Sequence, residues 1–213
     1  MVTLAVARDR MVERQLRARG IRSPHVLAAM AEVPRERFVP ERLAEFAYDD
    51  GPLPIGEEQT ISQPYIVALM LEAADIAPGD RVLEVGAGSG YAASVISRIA
   101  DRVYAIERYE TLAKAAQRRA VELGYDNLTI LAGDGSLGLP AHAPFDAILV
   151  AASCDTVPEP LRLQLVIGGR LVVPVGGASM QWLLCVTRSG EESWTEVDLG
   201  GVRFVPLIGA HGR

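Results

Sequence analysis

The chain has 213 residues, of which 49% are hydrophobic and 23% are charged, a size and composition that fit one globular domain better than two independent ones. A mean hydropathy of +0.18 excludes wholesale disorder, because enough apolar surface is present to offset the entropy of ordering the chain. The net charge of -6 argues against a broad nucleic-acid-binding surface, since phosphates would be repelled.

The first 47 residues have helical spacing and are predicted to form a helical appendage. Ser23-Pro24 opens its second helix, because Ser is a favoured N-cap and Pro fits the first helical position. Residues 48–64 are dense in Gly, Pro, Asp and Glu, which predicts a loop rather than a helix or strand. Long loops without structure of their own are often functional, so we interpret this segment as an active-site loop.

Residues 65–213 are predicted to form a cofactor-binding α/β core. After a helix at 65–74, short apolar runs alternate with amphipathic helices, which is typical of βαβ units and of a parallel sheet covered on both faces. The last two runs flank Ser189-Gly190-Glu191-Glu192 and indicate an antiparallel hairpin. The predicted strands are 81–85, 103–107, 128–132, 145–150, 170–175, 181–188 and 194–200, and the helices between them are 91–100, 111–124 and 158–165.

Cysteine usage and the absence of targeting segments bear on location. Cys154 and Cys185 form no CxxC pair and lie at no metal-ligand spacing, so we expect neither a disulfide framework nor a metal site. Residues 1–14 lack the apolar stretch of a signal peptide, and no segment approaches the roughly 20 apolar residues of a membrane span. We therefore expect a soluble, cytoplasmic protein that binds neither nucleic acid nor membranes. The oligomeric state is left open.

The strongest local motif is VLEVGAGSGY at residues 82–91, where a predicted strand runs into three glycines and then into a helix. Glycines at such a turn let the backbone approach a ligand closely and direct amide groups at it. Gly86, Gly88 and Gly90 form GxGxG, with Glu84 two residues earlier, whereas dinucleotide-binding folds use GxGxxG. The spacing favours an S-adenosylmethionine loop over an NAD site. The alternative is that these glycines serve only tight packing.

Two acidic residues follow the next predicted strands. Glu107 lies about 20 residues beyond the glycines, where a carboxylate can accept hydrogen bonds from both ribose hydroxyls. Asp134, in the sequence Gly133-Asp134-Gly135, can accept from an adenine amino group. All three sites follow the carboxyl ends of predicted parallel strands, where open α/β sheets bind ligands. The alternatives are an exposed Glu at a strand end and a simple turn.

Six stretches, in order over nearly the whole chain, carry a resemblance to a known family. They are PLPIGEEQTISQPYIVALM at 52–70, RVLEVGAGSGYAA at 81–93, GDGSLGLP at 133–140, APFDAILVAA at 143–152, GGRLVVPVG at 168–176 and VRFVPL at 202–207. Many methyltransferases share the glycine loop, whereas TISQP and RFVPL are far more specific. In these stretches the chain resembles the protein-L-isoaspartate O-methyltransferase family.

The resemblance implies a fold, a reaction and a substrate. The fold is a doubly wound, mostly parallel, seven-stranded S-adenosylmethionine-dependent methyltransferase fold with N-terminal helices and a C-terminal antiparallel hairpin. The reaction transfers a methyl group from S-adenosylmethionine to the α-carboxylate of L-isoaspartyl residues in damaged proteins and leaves S-adenosylhomocysteine. The methyl ester then cyclises to a succinimide, whose hydrolysis returns some normal aspartyl linkage and so begins repair.

The resemblance also places the functional residues. The family's reactive-site serine falls on Ser62, and its substrate-binding C-terminal stretch falls on Val205, Pro206 and Leu207. Two residues depart from the pattern, because Ser136 replaces an aromatic residue common in bacterial members and Ala151 replaces a threonine; both affect expectations for the shape of the peptide site. Together with the glycine loop, the predicted cofactor-binding residues are Thr60, Ile61, Ser62, Glu84, Gly86, Gly88, Ser89, Gly90, Glu107, Asp134 and Gly135.

The chemistry expected of Ser62 is hydrogen bonding. No GxSxG motif surrounds Ser62, and no motif links it to a histidine, so we assign it to the acceptor carboxylate or the cofactor rather than to nucleophilic attack. The alternative is that it caps the helix beginning near Pro64. A carboxylate acceptor has a reference pKa near ~4 and is already ionised at neutral pH, so the reaction requires neither a general base nor a metal.

Three rival functions keep parts of this interpretation. The acceptor could be a normal aspartate of a dedicated peptide, or a small carboxylic acid, with fold and cofactor unchanged. A non-catalytic module could bind S-adenosylmethionine or S-adenosylhomocysteine as a sensor, although the TIS segment argues against it. An NAD-dependent oxidoreductase is disfavoured by the GxGxG spacing.

Overall fold

The computed structural model describes residues 3–213 and has a sheet of seven strands as its main element. A second, two-stranded sheet precedes it in the chain. In chain order the α-helices and strands are α1 Leu4–Arg10, α2 Pro24–Glu32, β1 Leu53–Gly56, β2 Gln59–Ile61, α3 Pro64–Ala73, β3 Arg81–Val85, α4 Tyr91–Ile96, β4 Arg102–Glu107, α5 Glu110–Glu122, β5 Leu128–Ala132, β6 Phe145–Val150, α6 Glu159–Leu163, β7 Leu165–Gly176, β8 Gln181–Gly190 and β9 Ser193–Val202.

The large sheet has the strand order β5-β4-β3-β6-β7-β8-β9. The pairs from β5 to β7 are parallel, and the pairs β7–β8 and β8–β9 are antiparallel. Strands β4 and β5 lie on one side of β3, whereas β6 lies on the other, so the order reverses at β3. Such a reversal opens a crevice outside the carboxyl ends of the strands, and this crevice positions the site.

Alternate residues of the central strands enter two separate apolar clusters. Val82 and Ala147 belong to one, while Leu83 and Ile148 belong to the other. All four side chains are fully buried. The alternation confirms the predicted sheet with both faces covered, because successive strand residues point to opposite faces.

The N-terminal region is helical, as predicted. The Ser23 hydroxyl accepts a hydrogen bond from the Val26 N–H at 3.4 Å and caps α2. Met11, Leu16 and Met30 are fully buried in the same apolar cluster as Val82 of the central strand. Residues 3–47 therefore contribute to the main core instead of extending from it. Met1 and Val2, the first residues of the predicted appendage, lie outside the described residues.

The prediction of a loop without structure at residues 48–64 was wrong. Strands β1 and β2 pair there as an antiparallel hairpin, with Leu53 opposite Ile61. Glu57 and Glu58 form its turn with φ angles of 50° and 57°. The prediction relied on the many turn-forming residues and overlooked the alternating apolar residues Leu53 and Ile55. Both side chains pack against the core cluster.

All seven predicted strands are present in the large sheet, and three were correct at both ends. The strand predicted at 170–175 was too short, because β7 begins five residues earlier, at Leu165. The helix predicted at 158–165 ends early, at Leu163, because Leu165 already begins the twelve-residue strand β7. The helix predicted at 91–100 ends at Ile96. The predicted hairpin is confirmed as β8 and β9. No helix among residues 3–213 is both long and apolar enough to cross a membrane.

Candidate active site

A cavity lies in the crevice at the carboxyl ends of the parallel strands. Its walls come from the loops that follow four different strands and from the C-terminal segment. Residues that line it include Gly86 after β3, Glu107 at the end of β4, Gly135 after β5, Ala151 after β6, and Val205. The sheet thus brings together the residues that the sequence placed after separate predicted strands, as expected for a ligand site at the switch point.

The glycine loop brings backbone close to the cavity. Gly86 has a φ of +87°, a backbone conformation that favours glycine. Gly88 and Ser89 line a smaller adjoining cavity. Gly90 lines neither of these cavities; a Cβ atom at this position would lie 3.0 Å from Ala116 of α5. Gly90 thus allows close packing against α5, which is the alternative given above for these glycines. Contact between Gly90 and the cofactor remains a prediction.

Glu107 is buried at the end of β4, with 5% of its surface exposed. Its carboxylate accepts the Gly88 N–H at 2.7 Å and the Tyr109 N–H at 2.9 Å, one on each oxygen. A carboxylate oxygen can accept more than one hydrogen bond, so both retain capacity toward the cavity. The arrangement suits a pair of ligand hydroxyls.

Glu84 is a buried carboxyl group below the glycine loop. It lines the smaller cavity together with Thr60, Ile61 and Ser62, and it is only 2% exposed. Among the residues the structure describes, its Oε2 atom has no hydrogen-bond partner. Burial raises the pKa of Glu84 to about 8, while the Ala93 N–H lowers it and the charge of Glu107 raises it further. A ligand that carries a cation would satisfy this group.

Asp134 is hydrogen-bonded to the C-terminal segment. Its Oδ1 accepts from the Ser136 N–H at 2.9 Å and from the Ser136 hydroxyl at 2.6 Å, and its Oδ2 accepts from the Ala210 N–H at 2.8 Å. Burial raises the pKa of Asp134, but these hydrogen bonds outweigh it, and the net shift is downward. Gly135 lines the main cavity, whereas Asp134 lies beside it. Ser136 is fully buried beneath the C-terminal segment. This departure from the family pattern therefore lines neither the main cavity nor the smaller one.

A wider groove of about 810 Å³ adjoins the main cavity on the acceptor side. Ser62 is half-buried in its wall, and within residues 3–213 its hydroxyl pairs with no protein group. The N-cap of α3 is Gln63, which makes no side-chain capping bond. The structure therefore does not support the helix-capping alternative for Ser62.

The segment 204–207 is fixed by two residues of the core. The Val205 carbonyl accepts from the Ser153 N–H at 2.8 Å, and the Leu207 N–H donates to the Ser153 carbonyl at 2.7 Å. Gln181 is buried and holds Phe204, accepting its N–H at 2.6 Å and donating to its carbonyl at 3.1 Å. Val205, Pro206 and Leu207 all line the main cavity, and Val205 also lines the groove.

Comparison with known proteins assigns this chain to a family. The model of the protein-L-isoaspartate(D-aspartate) O-methyltransferase family matches residues 7–212. The chain belongs to this family. It is therefore an S-adenosylmethionine-dependent protein carboxyl methyltransferase, as the resemblance implied.

Individual isoaspartate methyltransferases are similar to this chain over more than nine-tenths of its length. Protein-L-isoaspartate O-methyltransferase 2 of Pelobacter propionicus is 57% identical over 206 residues, which cover 96% of this chain and 92% of the relative. The Roseiflexus relative is 60% identical over 193 residues, covering 91% and 88%. A solved protein-L-isoaspartate O-methyltransferase has a TM-score of 0.86 at 32% identity, covering 96% of this chain and 67% of that one. A Plasmodium falciparum structure, described as a complex with S-adenosyl-L-homocysteine, has a TM-score of 0.82 at 27% identity, covering 94% and 98%.

The site of this isoaspartate methyltransferase fits the cofactor of its family. The unpaired Oε2 of Glu84 suits the ammonium group of S-adenosylmethionine, and Glu107 offers acceptors for ribose hydroxyls. Gly86 and Gly88 of the glycine loop line both the main cavity, which holds Glu107, and the smaller cavity, which holds Glu84. In the part of the chain that the structure describes, no three His, Cys, Asp or Glu side chains are arranged to hold a metal ion.

Two residues that position this site were missed by the sequence analysis. Arg35 is fully buried and donates to the carbonyls of Ala47 and Ser62, each at 2.7 Å. Gln181 holds the segment at Phe204. Arg35 gave no local signal, because its two acceptors lie 12 and 27 residues away in the chain. Gln181 has no local signal, since its partners lie 23 residues away or more.

Proposed function

We propose that this chain transfers a methyl group from S-adenosylmethionine to the α-carboxylate of L-isoaspartyl residues and so initiates repair of damaged proteins. One observation carries the proposal. The cofactor cavity and the acceptor groove share Thr60, Ala151 and Val205 in their walls, so they meet at one point. Ser62 lies in the groove wall and in the wall of the smaller cavity beside Glu84. A methyl donor and a carboxylate acceptor could meet at this junction.

The chain has to align the reactants, and the acceptor needs no activation. When bound, S-adenosylmethionine supplies a methyl group: the bond from methyl to sulfur breaks and leaves its electron pair on sulfur, while a lone pair of the carboxylate oxygen forms the new bond to the methyl group. The acceptor carboxylate is ionised near neutral pH, so no residue has to remove a proton. Residues of the cavity and the groove then act by holding the two groups in line and by excluding water.

Ser62 and Val205 are the residues that we propose contact the acceptor. The Ser62 hydroxyl can donate to the carboxylate, because Ser62 does not cap α3 and its hydroxyl has no hydrogen-bond partner within residues 3–213. The Val205 carbonyl is already engaged by Ser153, whereas the Val205 N–H makes no hydrogen bond to any residue from 3 to 213. That N–H is available to pair with an extended peptide, as in β-addition.

This pairing would select the isoaspartyl linkage by position. In an isoaspartyl residue the chain continues through the side-chain carbonyl, so the free α-carboxylate stands one methylene nearer the backbone than an aspartyl side-chain carboxylate. Both groups are ionised at pH ~7, and only their placement differs. A displacement of about 1 Å from in-line attack can cost about 100-fold in rate. The aspartyl peptide should therefore be a very poor substrate.

The decisive experiment uses labelled S-adenosylmethionine and two matched peptides that differ only in an isoaspartyl or aspartyl linkage. We expect label in the isoaspartyl peptide and about 100-fold less in the aspartyl one. Equal labelling would overturn the repair function and favour a carboxyl methyltransferase with another acceptor. Binding of S-adenosylhomocysteine without transfer to either peptide would favour a non-catalytic binding module.

We further propose that the protein works in the cytoplasm. Cys154 and Cys185 are both buried free thiols, and burial raises the pKa of Cys154 to about 11. Unpaired thiols of this kind suit a reducing compartment, where thiols are kept reduced. Fractionation of the source cells tests the location, and recovery of the protein outside the cytoplasmic fraction would contradict it.

A further inference from the structure

Arg35 is a buried cation outside the walls of the cavities described above. It is 0% exposed, and its guanidinium carbon lies 4.8 Å from the centre of the Tyr91 ring. Within residues 3–213 no carboxylate forms an ion pair with it, and its Nη1 atom has no hydrogen-bond partner. Burying a charge is unfavourable unless its hydrogen bonds are satisfied, so an incompletely paired arginine in the core calls for a specific role.

The two hydrogen bonds of Arg35 reach both ends of one segment. Its Nε donates to the Ala47 carbonyl and its Nη2 donates to the Ser62 carbonyl, each at 2.7 Å. Between these two acceptors lies the hairpin of β1 and β2. A planar guanidinium holds its donors in a fixed fork, so it also fixes the distance between the two carbonyls. The Arg35 side chain thus holds together the two ends of the segment that contains the β1–β2 hairpin.

The bond to Ser62 also sets the orientation of a peptide unit at the groove. The Ser62 carbonyl and the Gln63 N–H belong to one planar trans unit, in which they point in opposite directions. With the carbonyl held by Arg35, the Gln63 N–H is turned away from the buried side. Both Ser62 and Gln63 line the groove. The arrangement keeps a carbonyl dipole from turning toward an acceptor carboxylate, which it would repel.

We propose that Arg35 is a positioning residue for the acceptor side of the reaction: it clamps Ala47 to Ser62 and holds the Ser62–Gln63 peptide unit in the orientation that receives a carboxylate. The expected effect on turnover rests on the proposed function. The clamp between Ala47 and Ser62 does not depend on the identity of the substrate. Turnover and the clamp are therefore measured separately.

The test compares Arg35→Met and Arg35→Lys with wild type. The methionine side chain cannot donate to either carbonyl, and a lysine ammonium cannot present the fork that spans both. We expect kcat/KM for the isoaspartyl peptide to fall about 100-fold in Arg35→Met. The Kd for S-adenosylhomocysteine should change by less than about 10-fold, the effect of one lost hydrogen bond. Arg35→Lys should give an intermediate kcat/KM.

Hydrogen–deuterium exchange reports the clamp without any substrate. Amides of residues 48–63 should exchange faster in both variants, while those of β3 and β4 keep their wild-type rates. Arg37→Met is the matched control, because Arg37 stands in the same 3-10 helix, is exposed and, among residues 3–213, forms an ion pair only with Glu122 at 3.6 Å. It should resemble wild type in every measurement.

Three outcomes would overturn the inference. One is wild-type exchange over residues 48–63 in Arg35→Lys. Another is a wild-type kcat/KM in Arg35→Met. The third is a parallel loss of melting temperature, cofactor affinity and turnover in both variants, which would indicate a purely structural arginine. If wild type methylates no isoaspartyl peptide, the proposed function fails, and the exchange comparison still decides whether Arg35 clamps the hairpin.

Discussion

The carboxylate of Glu107 accepts the backbone N–H of Gly88 at 2.7 Å, joining the end of β4 to the glycine loop after β3. A second N–H, from Tyr109, occupies its other oxygen at 2.9 Å. The residue predicted to bind ribose therefore also fixes the loop that approaches the cofactor. Its replacement should affect both functions together.

In Glu107→Gln an amide NH₂ replaces one carboxylate oxygen, so either the Gly88 N–H or the Tyr109 N–H loses its acceptor. We expect the affinity for S-adenosylhomocysteine to fall about 10-fold to 100-fold, since a hydrogen bond to a charged group is worth roughly 1.5 to 3 kcal/mol. Titration calorimetry measures the change. Glu110→Gln is the control, because Glu110 is exposed and pairs with Lys114. Wild-type affinity in Glu107→Gln would remove this residue from the site.

Glu84 predicts how stability depends on pH. Burial raises its pKa from 4.5 to about 8, so between these values the folded protein holds a proton that the unfolded chain releases. The stability contributed by this proton is fully present below pH 4.5 and is lost as the pH rises through about 8. The melting temperature of the ligand-free protein should fall across this range. In Glu84→Gln, which cannot ionise, the fall should be smaller; an unchanged slope would contradict the assignment.

Binding of the cofactor should release a proton from the same group. An ammonium next to Glu84 favours the ionised carboxylate, so S-adenosylhomocysteine should bind more tightly as the pH rises toward about 8. Calorimetry in buffers of different ionisation enthalpy counts the protons released. Glu84→Gln should release fewer, and equal release in both proteins would assign the proton to another group.

Asp134 links cofactor affinity to the order of the C-terminal segment. Asp134→Ala removes the acceptor of the Ala210 N–H and of both Ser136 donors. We expect about 10-fold weaker binding of S-adenosylhomocysteine and faster amide exchange in residues 209–213. Asp155→Asn weakens an exposed ion pair between Asp155 and Arg213 in the same segment and should leave cofactor affinity near wild type. Equal affinities in the three proteins would show that the Asp134 carboxylate does not contribute to binding.

Ser62→Ala tests the proposed donor to the acceptor carboxylate. An interaction that strengthens in the transition state affects turnover more than ground-state binding. We therefore expect kcat to fall while cofactor affinity and melting temperature stay close to wild type. Ser179→Ala is a matched control, since Ser179 lines the groove but not the cofactor cavity. A loss of turnover explained wholly by weaker cofactor binding would contradict the role.

Val205→Pro removes the free N–H that we propose pairs with the peptide. We expect a reduced ratio of isoaspartyl to aspartyl methylation, because the backbone of the substrate loses its registration. Val205→Ala keeps the N–H and should retain the ratio. If both variants keep the wild-type ratio of isoaspartyl to aspartyl methylation, the Val205 N–H does not hold the peptide.

Local sequence patterns identified the parts of the fold that local chemistry determines. Strands β3, β5 and β6 were predicted with their observed ends, because glycine follows the apolar runs of β3 and β5, and Pro144 precedes that of β6. The 53–61 hairpin was missed, since its strands have only four and three residues and only a few apolar side chains. Its stability comes from packing against distant residues, which a local pattern does not contain.

The candidate site divides in the same way. Glu84, Glu107 and the glycines were recognisable because each sits at a fixed offset from a strand end. Arg35 reaches Ala47 and Ser62 across 12 and 27 residues, and the Ala210 N–H reaches Asp134 across 76. Contacts of this range follow from the folded topology and have no signature in sequence spacing.

The burial of Met11, Leu16 and Met30 in the core that also holds Val82 limits how this enzyme can be shortened or recombined. A chain that begins at residue 65 would keep every strand of the large sheet and yet expose the apolar sides of α3 and α4 that the N-terminal helices contact. Truncation to the cofactor-binding part should therefore yield an aggregating product. For the same reason, exchanging the N-terminal helices between relatives requires exchanging the residues of α3 and α4 that contact them.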